Sequence, residues 1–312
     1  MAIAAQLYGE NRSFLWGLCY RMTGCAADAE EVVQETFVRV LEKPPRDTRE
    51  SLRPWLVRVA MNLSRDLLRR RRRTEYVGPW LPSPVPPEDV EDQVIREPEA
   101  AFVDSPAARY DMRESVSVAF LLALEALTPA QRAVLLLRDV FDYSTGETAE
   151  VAGMTEANVK VTLHRARRRM REYDRERTPP DPARQERTLK ALEEFLRCLE
   201  AGDAGGLERL LTEDVVVISD GGGEVTALLE PMFGREKVFR LVTRLYEVNR
   251  SVMQTSFRIL NGQPAVLVER SEVRPGHASR YTMQCEFDEV GRFRRLNFVF
   301  APSKLSALDG RA

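Results

Sequence analysis

The sequence is poor in histidine, lysine and paired cysteines, and each shortage removes a class of function. Its two imidazoles are His164 and His277, and Cys19, Cys25, Cys198 and Cys285 include no CxxC spacing. No zinc site or redox pair can be built from such spacings, so no metal and no cofactor is expected. The thiols read instead as small buried hydrophobes in a reducing compartment. No apolar run approaches the ~18 residues of a membrane helix. Glu10 and Arg12 come too early for a signal peptide, so the expected location is cytoplasmic, with no membrane partner. A net charge of −2 over 312 residues excludes a uniformly basic coat for nucleic acid.

What is present is arginine, and it is clustered. Of 46 basic residues five are lysine, which leaves 41 arginines and points to a GC-rich genome. Residues 65–73 hold six arginines against one aspartate, and residues 165–177 hold seven against three acids. Local basic patches on a nearly neutral chain suit DNA binding at defined sites. The length calls for more than one core.

The stretch 127–171 carries the clearest pattern. Two short amphipathic segments flank Gly153-Met154-Thr155, the outline of a helix-turn-helix. In the second segment Val159, Leu163, Ala166 and Met170 recur at helical spacing and form the packing face. Lys160, Val161, His164, Arg165 and Arg168 project from the other side, and Thr155 is placed to cap the helix start. Upstream, residues 7–22 read as an amphipathic helix that breaks at Thr23-Gly24. A second helix opens at Asp28, with Val32, Val33, Phe37, Val40 and Leu41 on its apolar side and Glu31, Gln34, Glu35 and Arg39 outward. Lys43-Pro44-Pro45 stops it. A third helix spans 53–73, where Trp55, Val59, Leu63 and Leu67 form the expected core row. That row makes Trp55 a core residue rather than a stacking platform. Asn62, Arg65 and Arg69 lie off it.

Residues 76–111 carry proline and acid with little apolar periodicity, and read as a stiff linker. The exception is the aromatic and leucine cluster from Tyr76 to Pro82, which invites docking. A second break falls at Thr178-Pro179-Pro180-Asp181-Pro182. Beyond it come helix, a short helix leading into a strand, a Gly221-Gly222-Gly223 turn, another helix over 235–248, and four strand-like runs at 254–260, 264–273, 279–288 and 292–300. Helices followed by an antiparallel sheet predict an α+β cone. Asp214, Asp220, Glu224, Tyr246, Tyr281 and His277 are its candidate catalytic groups. None forms a diagnostic pair, and His277 falls in a hairpin turn, so no enzyme is expected.

MTGCAADAEEVVQETFVRV followed by RPWLVRVAMNLSRDLLRRRRR resembles region 2 of bacterial sigma factors of the extracytoplasmic-function group, and 127–171 resembles their region 4. The linker WLPSP resembles the signature of members that carry an extra C-terminal domain. Ser219-Asp220-Gly221-Gly222-Gly223 and Ala301-Pro302-Ser303-Lys304-Leu305 resemble two signatures of that domain, a SnoaL-like branch of the NTF2-like fold. Glu224 stands where a basic residue is usual, and Ala301 and Ser303 replace an asparagine and an aspartate. Thr148 occupies a position where the resemblance leads one to expect a larger apolar residue.

The resemblance implies a multidomain chain: an all-α region 2 bundle over 1–75, the linker over 76–111, a region 4 helix-turn-helix over 112–177 and an α+β NTF2-like cone over 183–305. It implies promoter-specific initiation with core RNA polymerase and promoter DNA as partners. Glu31, Gln34 and Glu35 would dock on polymerase. Asn62, the loop 44–51, Arg65, Arg69 and Arg70 would hold the melted −10 strand. Asn158, Lys160, Val161, His164, Arg165, Arg168 and Arg169 would contact the −35 duplex. Trp80, Leu81, Pro82, Asp220, Gly221, Gly222, Gly223 and Lys304 would carry regulation by the fused domain, whose cone is also the place for a small signalling ligand. The alternative is a helix-turn-helix regulator fused to a ligand-sensing or isomerase/cyclase-like domain.

Overall fold

The computed structural model describes residues 2–42, 52–73, 76–89, 108–177 and 181–309. It divides into two compact units, one of residues 1–75 and 87–179, the other of residues 76–86 and 180–312.

The first unit is helical. Helix α1 (Ala2–Thr23) ends at Gly24, whose φ of 67° lets the chain reverse; α2 (Ala26–Glu42) and α3 (Arg53–Arg71) pack on it. The carboxyl-terminal half of α1 is buried on all sides, from Leu15 through Met22, so it is a central helix and not the amphipathic one expected. On α2 the expected apolar row is buried except for Leu41, which is 60% exposed at the helix end. On α3 the buried row is Leu56, Val57, Ala60, Met61, Ser64 and Leu68. Trp55, Val59, Leu63 and Leu67 are half-buried at its flank. The expected row was thus the rim of a wider face, whose centre includes small Ala60 and Ser64 because neighbouring helices approach closely there.

The helix-turn-helix follows from local capping. After α4 (Val118–Leu124), Thr128 and Gln131 form a capping box at the start of α5 (Pro129–Asp139), and Ser144 and Glu147 form another at α6 (Thr145–Ala152). Gly153, at φ 65°, ends α6, and the Thr155 hydroxyl accepts from the Asn158 amide at 3.3 Å to open α7 (Glu156–Arg169). Val134, Ala149 and Val159 join the three helices, with Met154 and Leu163 around them. Helix α8 (Arg171–Glu176) continues the chain.

The second unit is α+β. Helices α9 (Pro182–Ala201) and α10 (Ala204–Leu210) lead into β1 (Leu211–Asp220); β2 (Met232–Phe233) and α11 (Arg235–Asn249) precede β3 (Met253–Leu260), β4 (Gln263–Arg270), β5 (Arg280–Phe287) and β6 (Phe293–Val299). The sheet order is β2-β1-β6-β5-β4-β3. It is mixed rather than antiparallel: β1 lies parallel to β6, because the meander from β3 to β6 returns alongside a strand formed before α11. Phe195 of α9, Val238 and Val242 of α11, and Val217, Val268, Met283, Phe293 and Phe298 of the sheet share one core.

Candidate nucleic-acid, polymerase and linker-docking sites

On α7 the two faces separate cleanly. Val159, Ala166 and Met170 are buried, whereas Asn158, Lys160, Val161, His164, Arg165, Arg168 and Arg169 are exposed. Arg169 Nη1 donates to the Ala126 carbonyl at 2.6 Å. Sequence reasoning missed Arg167, whose guanidinium donates to both oxygens of the fully buried Asp139 at 2.8 and 2.6 Å. That fork ties α7 to the end of α5, and the carboxylate raises the arginine's pKa. Its position between the buried and exposed rows, with an aspartate 28 positions upstream, gave no local signal.

The Asp139 carbonyl in turn accepts the amides of Arg109 and Tyr110. Tyr110 is buried against Phe120, and its hydroxyl donates to Asp174 at 2.9 Å. Region 4 therefore has a brace at its entry that the helix-turn-helix outline does not reveal.

On α2, Glu31, Gln34 and Glu35 are exposed and continue along the helix into Val38, 44% exposed, and Leu41. Gln34 donates to Glu30 at 3.3 Å, and Arg39 pairs with Glu35. The outward face is acidic at its start and apolar at its end, a combination a purely solvated face has no use for.

On α3, Asn62, Arg69 and Arg70 are exposed, and Arg69 pairs with Asp66. Arg65 is only half-exposed: its Nη1 donates to the Ala152 carbonyl at the end of α6 at 2.9 Å, and burial lowers its pKa. The structure thus separates Arg65 from the exposed residues Asn62, Arg69 and Arg70 and ties it to the end of α6. The loop 44–51 lies outside the described residues.

In the second unit the stretch 76–86 is docked, with Leu81 through Val85 buried. Asp220 is its anchor. Fully buried at the end of β1, the carboxylate accepts from the Tyr76 hydroxyl at 2.6 Å, the Leu81 amide at 2.7 Å, the Gly222 amide at 2.9 Å and Lys304 Nζ at 2.5 Å. Lys304 also donates to the Leu81 carbonyl and stands 4.5 Å from the Trp80 ring centroid and 4.9 Å from that of Tyr76. The ion pair is dry, but every acceptor position is filled. The Asp220 carbonyl accepts the amides of Phe300 and Ala301, which sets the turn that delivers Lys304.

The three glycines are required by this geometry. A Cβ on Gly221 would meet the Val225 carbonyl at 2.5 Å, Gly222 and Gly223 have φ of 60° and 74°, and Val77 packs on Gly223. Glu224 and Ser303, the two polar departures from the resemblance, meet each other: the Ser303 hydroxyl and amide donate to the Glu224 carboxylate at 2.5 and 3.2 Å. At the far end of the docked stretch, Asn261 exchanges hydrogen bonds with Val85, its amide to the Val85 carbonyl at 2.8 Å and its Oδ1 accepting from the Val85 amide at 3.3 Å. Asn261-Gly262 is a hairpin turn signal, with φ of 53° and 71°, but its grip on residues so distant in sequence is not locally encoded.

The groups that catalysis would need are otherwise engaged or dispersed. Asp220 is spent on the anchor, His277 is exposed in a turn, and Asp214 and Glu224 are exposed. Tyr281 lies under the Arg270 guanidinium, 5.2 Å from the ring centroid, and burial pushes its pKa up. Burial also pushes the Cys19 thiol to about 12 and the Cys285 thiol well above its usual value. Among the described residues no group of three histidine, cysteine or acidic side chains is placed to hold a metal ion, and no helix is long and apolar enough to cross a membrane.

A helix-turn-helix with an exposed basic row, joined to a second helical module carrying both an acidic docking face and a basic tract, defines a transcription-initiation factor. The family models agree: Sigma-70 region 2 matches residues 7–74 and Sigma-70 region 4 matches residues 117–170. The chain is 33% identical over 239 residues to the ECF RNA polymerase sigma factor SigJ of Mycobacterium tuberculosis, covering 76% of this chain and 71% of that protein. It is 37% identical over 211 residues to SigG of the same organism, covering 64% of this chain and 56% of the relative. The crystal structure of M. tuberculosis SigJ superposes with a TM-score of 0.68 at 26% identity, over 96% of this chain and 97% of that one. The chain belongs to the extracytoplasmic-function RNA polymerase sigma factors. It is an initiation factor and not an enzyme, and its carboxyl-terminal unit is an α+β domain built on a mixed six-stranded sheet.

Proposed function

We propose that this sigma factor divides promoter reading between α7 and α3 and that its fused domain sets how readily the two are deployed. The observation that carries the reading is the exposed row on α7, from Asn158 to Arg169, opposite a fully packed face. Lys160, His164 and Arg165 reach base edges of the −35 duplex, Asn158 and Val161 line the contact, and Arg168 and Arg169 neutralise phosphates. Asn62, Arg69 and Arg70 hold the extruded −10 strand, joined by Arg65 once it leaves Ala152. Extruding bases costs a few kcal/mol, which base capture and phosphate contacts offset. Glu31, Gln34 and Glu35, extended by Val38 and Leu41, dock on core RNA polymerase, and the chain works in the cytoplasm, where polymerase and promoter are.

Regulation runs through the docked stretch. Leu81 is gripped by Asp220 and Lys304 and Trp80 faces the Lys304 ammonium, with Pro82 buried next in the chain, which ties the linker between regions 2 and 4 to the fused domain. Holding or releasing that stretch biases the factor between closed and polymerase-competent forms, a population shift. A small ligand in the NTF2-like cone is the signal this reading accommodates, since the groups a catalyst would need are committed elsewhere. Run-off transcription with core polymerase on genomic promoter fragments tests it. Full-length chain, a truncation ending near Arg177 and Trp80→Ala are expected to differ in activity, and equal activity in all three removes the regulatory role.

A further inference from the structure

The sheet of the second unit ends in β3, which pairs with β4 and, among the described residues, with no strand on its other side. The Ser271 amide donates to the Val252 carbonyl, so the even-numbered residues of β3 face β4. The amides and carbonyls of Met253, Thr255, Phe257 and Ile259 therefore point to the open side. Asn261 continues the same phase, and its amide meets the Val85 carbonyl there. The docked stretch takes the edge no further, because Pro86 has no amide to donate. What stays open is a regular eight-residue strand without proline, lysine or bulge, the devices that ordinarily blunt a sheet edge. Phe257, 37% exposed, and Ile259, 39% exposed, lie with Thr255 on one face of it, and Gln254 and Arg258 are exposed on the other.

Three side chains along this edge are left incomplete. Among the described residues Arg258 and Glu269 have no ion-pair partner, and the Ser256 hydroxyl has no hydrogen-bond partner. Glu269 stands on β4 across from Gln254, and its neighbour on β5, Arg280, is taken by Asp309. We propose that β3 is the pairing edge for a second copy of this chain, related by a twofold axis through Ser256. A twofold antiparallel register can be centred on Thr255, Ser256, Phe257 or Arg258. A centre at Arg258 opposes two guanidiniums, and a centre at Thr255 or Phe257 sets Arg258 against Val252 or Ser256. The centre at Ser256 sets Arg258 against Gln254 of the second copy and in line with Glu269 beyond it. Two strand spacings separate those Cα atoms by about 10 Å, a gap that the two side chains close together. The same register brings the two Ser256 side chains face to face and pairs Phe257 with Thr255 and Ile259 with Met253. Each outward amide and carbonyl then finds a partner, and the two Phe257 rings meet on a diagonal. Symmetry makes every such contact twice and closes the assembly at two copies.

Sedimentation velocity of the full-length chain over a concentration series tests this. One strand edge is a small interface, so the wild-type chain is expected to pass from monomer to dimer with a Kd of about 10–100 µM. Arg258→Glu and Glu269→Arg each set like charges together twice, and each is expected to weaken dimerisation about tenfold. Mixed in equal amounts, the two variants recreate both ion pairs, so the mixture is expected to dimerise within about threefold of wild type. That recovery also shows that both variants are folded. Thr255→Pro removes an outward amide while sparing the bonds to β4, and is expected to abolish the dimer. A wild-type chain that stays monomeric up to about 500 µM overturns the proposal. So does a species larger than two copies, a dimer that any of the three substitutions leaves intact, or a mixture that associates no better than its components.

Discussion

Substituting Asp220 by asparagine tests the linker anchor at its most demanding point. Oδ1 accepts from the Tyr76 hydroxyl and the Gly222 amide, and Oδ2 from the Leu81 amide and Lys304 Nζ. Asparagine offers one oxygen, so in either orientation its amide nitrogen faces two donors, and the Lys304 ammonium stays buried without its counter-charge. Breaking one side of a buried pair costs about 3–5 kcal/mol, which lowers the melting of the second unit by roughly 10 °C. Lys304→Met keeps the aliphatic stem and leaves Asp220 with three donors. It forfeits the bond to the Leu81 carbonyl and the contacts with Trp80 and Tyr76, at a cost of about 2 kcal/mol. Because the two side chains touch, the double variant is expected to cost less than the sum, by about 1–3 kcal/mol. Differential scanning calorimetry reads the stabilities, and chymotrypsin cleavage after Trp80 reads release of the docked stretch. If Lys304→Met proves costlier than Asp220→Asn, or the two costs simply add, the four-donor account of Asp220 is wrong.

Three further outcomes are expected. Thr148 is fully buried and its hydroxyl has no hydrogen-bond partner, so isosteric Thr148→Val is expected to raise the stability of the first unit by about 1 kcal/mol; an unchanged or lower melting temperature sinks this. Arg167→Ala leaves the Asp139 carboxylate buried and unpaired, so it is expected to weaken −35 duplex binding and cost about 2 kcal/mol in stability, discounted because Arg167 is itself 43% exposed. Arg167→Lys rescues only in part, since lysine lacks the fork, and full rescue argues against the bidentate contact. Glu31→Ala with Gln34→Ala is expected to weaken holoenzyme assembly while thermal melting stays unchanged, because both residues are exposed on α2; unaltered assembly in a pull-down contradicts the docking face.

Periodicity and capping made the helices legible, because both are local. The α7 row followed from spacing alone, and Thr155 reads as a cap without any tertiary partner. The buried row of α3 did not, because an apolar face wider than one row has a centre that only the neighbouring helices define. Leu41 kept its helical phase yet stays exposed in the last turn of α2. The parallel pairing of β1 with β6 was illegible for a different reason: alternation along a strand is the same whichever way its neighbour runs. The anchor lies furthest from local signals. Tyr76, Leu81 and Lys304 stand 144, 139 and 84 positions from Asp220. Resemblance named Leu81, Asp220 and Lys304, the aromatic cluster pointed to Tyr76, and the hydrogen bonds explain them.

The abundance of arginine, which in the sequence reflects base composition as much as function, acquires a structural use in the first unit. Buried Arg21 donates to the Gly17 and Met112 carbonyls and the Ser115 hydroxyl, and burial lowers its pKa to about 10, still charged at neutral pH. Arg132 serves the Met22 and Leu124 carbonyls together with Glu125. A guanidinium can address several oxygens in fixed directions, and an ammonium cannot do so in one plane. Regions 2 and 4 are therefore joined by arginine–carbonyl hydrogen bonds as well as by apolar contact, where Phe14 and Phe141 meet edge to face at 5.7 Å. Here each guanidinium is shared among several oxygens. The buried lysine of the second unit has the opposite role. Lys304 is a buried point charge held by Asp220, the Leu81 carbonyl and two aromatic rings. The seam of the first unit is thus built from directional arginine hydrogen bonds, and the contact that holds the docked stretch is built from a closed ion pair.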